Sequence, residues 1–142
     1  MGLDPHRRTE SESMTTELTV LAYATLLQVV QFSLFSIAAN LQVGPRTALG
    51  PRDGKVELTG KAGRLQRAMN NHFEGLILFT IAVVLVTLGD KANGFTGNCA
   101  WVYLIARILY VPAYYFGLSP WRSVIWSIGL IATILMILMS LI

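Results

Sequence analysis

Residues 67–88 read Arg-Ala-Met-Asn-Asn-His-Phe-Glu-Gly-Leu-Ile-Leu-Phe-Thr-Ile-Ala-Val-Val-Leu-Val-Thr-Leu, a polar octet running straight into the apolar stretch Leu76 to Leu88. An apolar run of this length, entered from a basic loop, is the mark of a membrane-crossing helix. On such a helix Arg67, Asn71 and Glu74, spaced by four and then three residues, fall within about 60° of one another. Three hydrogen-bonding groups on one face at the mouth of a membrane helix are costly unless they have a polar task, so they are functional-site candidates. The competing reading is that Arg67 and Glu74 only pair to ease insertion.

The rest of the chain extends this pattern. Of its 142 residues, 54% are hydrophobic and 13% charged, and the mean hydropathy is +0.55. That balance is too apolar for a soluble domain of this size. Four stretches approach the ~20 residues that cross a bilayer as a helix, about residues 18–40, 68–89, 99–117 and 124–142. The expected fold is an all-α integral membrane protein, a four-helix up-down bundle occupying residues 18–142. The polar segment 1–17 reads as a flexible extension without an assigned role, with Met14 as an alternative start. Arg7 and Arg8 imitate the start of a signal peptide, but Glu10, Glu12 and Glu17 interrupt it, so the first helix is expected to be retained. A single cysteine, Cys99, excludes an intramolecular disulfide.

Loop charge sets the expected orientation. Residues 41–67 hold six basic residues, Arg46, Arg52, Lys55, Lys61, Arg64 and Arg67, against Lys91 alone in the second loop. The first loop, and with it Arg122 in the third, is expected on the cytoplasmic side, with both termini opposite. The net charge of +3 is therefore a topology signal, and no nucleic-acid partner is implied. Asn93-Gly94 with Gly97 reads as a tight turn, and Pro120 suits the first turn of the last helix.

Polar groups inside the spans need partners. Gln28 and Gln31, mid-span in the first helix, are expected to hydrogen-bond to a neighbouring helix. In the third span Arg107, Tyr110 and Tyr114 form one stripe, and Arg107 lies about 12 Å inside at 1.5 Å per residue. A guanidinium that deep requires either a carboxylate, for which Glu74 is the natural candidate, or an anionic ligand in a wet cleft. Arg122 stands at the start of the fourth helix, where backbone N–H groups also favour an anion. It could serve a lipid phosphate, the positive-inside bias, or a thiolate. His72, at the edge of the motif face, reads as an interfacial hydrogen-bonder, and the aliphatic fourth span as largely lipid-facing.

The octet Arg67 to Glu74, the stripe Arg107, Tyr110 and Tyr114, and Arg122-Ser123 together resemble the MAPEG family, the membrane-associated proteins of eicosanoid and glutathione metabolism, and its bacterial members in particular. The resemblance runs from about Leu18 to the end of the chain. It implies a homotrimer with glutathione as cosubstrate, and no metal, bound between subunits near the cytoplasmic side. Arg67, Asn71 and Glu74 would hold the charged ends of the peptide, Arg107, Tyr110 and Tyr114 would complete the grip, and Arg122 would be catalytic by stabilising the thiolate. Arg46 would correspond to a further family arginine. The chain departs from the family where Gly75, Leu76 and Ile77 follow the motif glutamate.

The function so implied is a glutathione-dependent transferase or peroxidase of the bacterial inner membrane, acting on lipophilic electrophiles or lipid hydroperoxides amid membrane lipids. The alternative is a non-catalytic scaffold, a lipid-binding protein or an accessory subunit of a larger membrane complex. A channel or transporter is disfavoured, since the spans show no broken-helix pair or polar pore lining.

Overall fold

The computed structural model describes residues 13–44, 50 and 58–142. Helix α1 covers Thr16–Val43, α2 Gly60–Leu88, α3 Gly94–Tyr115 and α4 Trp121–Ser140. Arg46, Arg52, Lys55 and the first twelve residues, and with them the expectations for Arg46 and the N-terminal extension, lie outside the described residues.

Helix limits differ from the apolar runs because polar residues make the ends. Helix α2 begins at Gly60, eight residues before the apolar span expected from 68 and within residues 57–63, whose sequence allows a helical approach to that span; its basic first turns are docked on α3. Arg64 Nη1 donates to the Tyr115 carbonyl at 3.2 Å, and Lys61 Nζ stands 5.3 Å from the Tyr115 ring centre. A cation at the last carbonyls of a helix is favourable. Helix α3 begins at Gly94, not at 99. The expected Asn93-Gly94 turn is instead a capping box: Asn93 Oδ1 accepts from the Thr96 N–H at 3.0 Å, and Thr96 Oγ1 accepts from the Asn93 N–H at 2.8 Å. The chain reverses just before it, at Gly89 and Asp90, the latter with φ 54°. Helix α4 starts at Trp121, behind Pro120.

The helices form a rhombus. Helices α2 and α3 each touch all the others, whereas α1 and α4 do not touch among the described residues. The core lies between them, built from Val20 and Ala24 of α1, Phe79, Ala82, Val83 and Val86 of α2, Ala100, Tyr103 and Leu104 of α3, and Ala132 and Met136 of α4. Small residues let the backbones approach, and the Phe79 and Tyr103 rings stack with centres 4.0 Å apart and planes 7° apart.

Outside, aliphatic side chains such as Val29, Ile81, Ile108 and Ile131 stay exposed on all four helices. Three helices, α1, α2 and α4, are long and apolar enough to cross a membrane. Helix α3 has 22 residues, about 33 Å at 1.5 Å per residue, but its polar stripe keeps it out of that group.

Candidate functional site

The site lies at the end of the bundle where α2 and α4 begin and α3 finishes. Tyr114 is its centre. Arg67 of α2 donates from Nε to the Tyr114 hydroxyl oxygen at 3.0 Å, and its Cζ is 5.9 Å from the ring centre. Arg122 of α4 places its Cζ 5.0 Å from the same ring. One phenol thus touches guanidiniums from two helices, and because its oxygen accepts from Arg67 its own O–H is free to donate elsewhere. Tyr110, one turn earlier, packs against it with ring centres 5.6 Å apart.

Beside these rings opens a cavity of about 230 Å³ lined by Asn71, Tyr110, Tyr114, Arg122, Ser123 and Trp126. The lining includes one cation, an amide and three hydroxyls, and no acidic residue. Such a set receives an anionic or strongly accepting group, with Trp126 and the phenol faces offering apolar contact.

Arg107 stands behind this wall. It is 3% exposed and donates from Nη1 to Asn71 Oδ1 at 2.8 Å. Its Cζ lies 5.5 Å from the Tyr103 ring centre and 5.6 Å from that of Tyr110. The bond to Asn71 fixes which end of the amide faces back, leaving the NH₂ to point toward the cavity. The carboxylate partner expected for Arg107 is replaced by this amide. Glu74 lies exposed on α2 and makes no hydrogen bond among the described residues. The shared face lies at the edge of the helix contact: Asn71 is on the side that meets α3, and the ~60° that separates Glu74 from it is enough to leave Glu74 on the adjoining exposed side.

Five of the seven sequence candidates, Arg67, Asn71, Tyr110, Tyr114 and Arg122, thus gather at the cleft. Arg107 supports it from within, and Glu74 lies apart on the outer face. Gly75 was not singled out as a site residue, yet the Arg107 guanidinium occupies the space that a Cβ there would need. An isolated glycine inside a helical pattern is a general sign of a packing reason, but it does not say which side chain fills the space.

The polar groups of α1 divide. Gln28 Oε1 meets His72 Nδ1 at 2.6 Å, as the interhelical expectation required and in keeping with His72 as a hydrogen-bonder. Gln31 departs from that expectation: it is 2% exposed, and neither of its amide atoms has a partner among the described residues.

Searches of curated proteins and of solved structures each return no match. A model of the MAPEG family matches residues 20–142, the whole helical bundle from the first turns of α1 to the last residue. With that span matched, the chain belongs to the MAPEG family, and is thereby an integral membrane protein of a family that includes glutathione transferases and peroxidases.

Proposed function

We propose that the protein is a glutathione-dependent transferase or peroxidase acting on lipophilic electrophiles or lipid hydroperoxides, working as a homotrimer in the bacterial inner membrane with its first and third loops cytoplasmic. The observation that carries this reading is the cleft where Arg122, Tyr110, Tyr114 and Asn71 converge without any lining acid. Its donors suit the carboxylates and ionised sulfur of a thiol peptide.

At about 230 Å³ the cleft is smaller than the ~300–1,000 Å³ of an ordinary ligand site. That suits a half-site completed by a second copy against the exposed face of α2, where Glu74 would meet the ammonium of the peptide. Asn71, held by Arg107, orients one carboxylate, and the two phenols donate to acceptors on the bound molecule. Glutathione supplies the nucleophilic thiol. Arg122 favours its ionised form, the released proton passing to solvent, and leaves the sulfur lone pair to attack carbon and expel a halide, or to attack the outer peroxide oxygen and break the O–O bond. In the peroxide case the alkoxide takes a proton from solvent, and a second glutathione condenses with the sulfenic acid to give disulfide and water. The lipophilic partner arrives laterally, past Trp126 and the exposed aliphatic surface.

Arg122→Ala is expected to lower conjugation of a hydrophobic chloroarene by roughly tenfold or more, equivalent to at least about 1.4 kcal/mol on the barrier, with oligomer size unchanged. Unaltered turnover would remove Arg122 from the mechanism.

One observation favours a second reading, a non-catalytic membrane protein that retains the scaffold: the Arg107 guanidinium is taken up inside the bundle, bonded to Asn71 through Nη1 and packed on two rings, with its Nε left without a partner among the described residues. Thermal unfolding separates the two. Millimolar glutathione raises the melting temperature if the cleft is competent, by up to about 2.7 kcal/mol of stability at a hundredfold excess over Kd. A flat response favours the scaffold.

A further inference from the structure

At the opposite end of the bundle from the Arg122 cleft, the N-termini of α1 and α3 flank a second, open cavity of about 430 Å³, lined by residues that include Thr16, Glu17, Asn93, Asn98 and Trp101. Glu17 is only 2% exposed. Its Oε1 accepts from the Thr96 hydroxyl at 2.5 Å, while Oε2 has no hydrogen-bond partner among the described residues. A carboxylate removed from water in this way needs compensation.

The first turns of α1 and α3 lend it their positive dipole ends, but no backbone N–H among the described residues bonds it. The Leu18 N–H is taken by Thr15 Oγ1 at 3.3 Å, and that of Thr96 by Asn93 Oδ1 at 3.0 Å. None of the lining residues carries a positive charge. The carboxylate therefore lines a cavity to which the described residues bring no cation.

The remaining wall indicates what kind of cation. Trp101 lines the cavity, and its ring centre stands 6.1 Å from that of Tyr23, an aromatic pair of the sort found at membrane interfaces. Thr16 and Asn98 add neutral oxygen acceptors. A carboxylate, two oxygen acceptors and an indole among the lining residues match an organic primary ammonium, which brings three N–H donors and a charge attractive to an aromatic ring. A bare metal ion would find one carboxylate, too few hard ligands for calcium or magnesium.

We propose that this cavity binds a primary ammonium group, with Glu17 as its counter-ion and Trp101 as its wall. Two sources share that chemistry: the headgroup of an ethanolamine phospholipid and a soluble amine.

The test uses the full chain carrying Trp121→Phe and Trp126→Phe, so that Trp101 is the remaining indole. It is reconstituted into vesicles of phosphatidylglycerol, a lipid without an ammonium group. In one arm phosphatidylethanolamine replaces part of the lipid; in the other, ethanolammonium chloride is titrated into the buffer. A saturable change in Trp101 emission is expected in at least one arm. Saturation by the lipid alone assigns the bilayer as source, and saturation by free ethanolammonium assigns a soluble amine.

Glu17→Gln keeps an acceptor for Thr96 but removes the charge, and is expected to weaken the response at least tenfold. Asn98→Phe fills the cavity without touching the carboxylate and abolishes the response in a chain whose helicity is intact, which covers the case in which the glutamine variant fails to fold. No saturation in either arm, or a response equal to that of the parent in both variants, overturns the proposal.

Discussion

Arg107 replaces a side chain that α2 does not have. Its guanidinium lies where a Cβ of Gly75 would stand, and on α4 its Nε is 4.0 Å from the place of a Cβ on Gly129. The two glycines thus differ in what they permit. Gly75→Ala forces the guanidinium off Asn71 and is expected to cost about 1–3 kcal/mol, the usual range for overpacking. Gly129→Ala meets its nearest neighbour, Ala106 Cβ, at an ordinary 3.6 Å and is expected to stay within about 0.5 kcal/mol of the parent. Thermal melting in detergent compares them, and equal effects would show that the Arg107 contact does not anchor α2. The spacing of Arg107, Tyr110 and Tyr114 made their common stripe legible in the sequence. The contacts of Arg107 with Asn71 and Gly75 were not legible, because they depend on the rotation of α2 against α3, which no spacing within one helix encodes.

At the scale of the element, the four helices were legible as apolar runs, but their beginnings less so, since polar residues set them. Periodicity places the start of α3 at Cys99, whereas the reciprocal bonds of Asn93 and Thr96 move it five residues upstream. Asn93→Ala removes an N-cap acceptor and is expected to lower stability by about 1 kcal/mol. Hydrogen exchange should localise the effect to the first turn of α3. Protection there equal to the parent's would mean that the Thr96 hydroxyl, already held by Glu17 and by the Asn93 carbonyl, suffices by itself. Glu17 was set aside with the polar N-terminal segment because its charge broke a sequence pattern. Its burial comes from α3, which approaches from 79 residues away in the chain. The start of α2 was legible in part, since residues 57–63 allow a helical approach to the span, and the end of α3 supports it by receiving Lys61 and Arg64.

For the whole molecule, the arrangement puts α2 and α3, which carry six of the seven site candidates, in the middle, and α1 and α4, the latter with Arg122 in its first turn, at the flanks, out of contact with each other among the described residues. Helix α3 has a particular place in it: alone among the four it is not apolar enough to count as a membrane span, and it carries the buried Arg107. A central arginine adds about 2.5–3.5 kcal/mol to the insertion of an isolated helix, whereas Asn71 and the tyrosine rings are available once α2 lies alongside. During biosynthesis, then, α3 should leave the translocon as the second arm of a hairpin, its integration conditional on the arm made before it. Glycosylation mapping of nascent chains is expected to find α3 poorly integrated when presented singly and well integrated behind α2, with Asn71→Leu eroding that rescue; equal integration with and without α2 would mean that the arginine never relied on its neighbour.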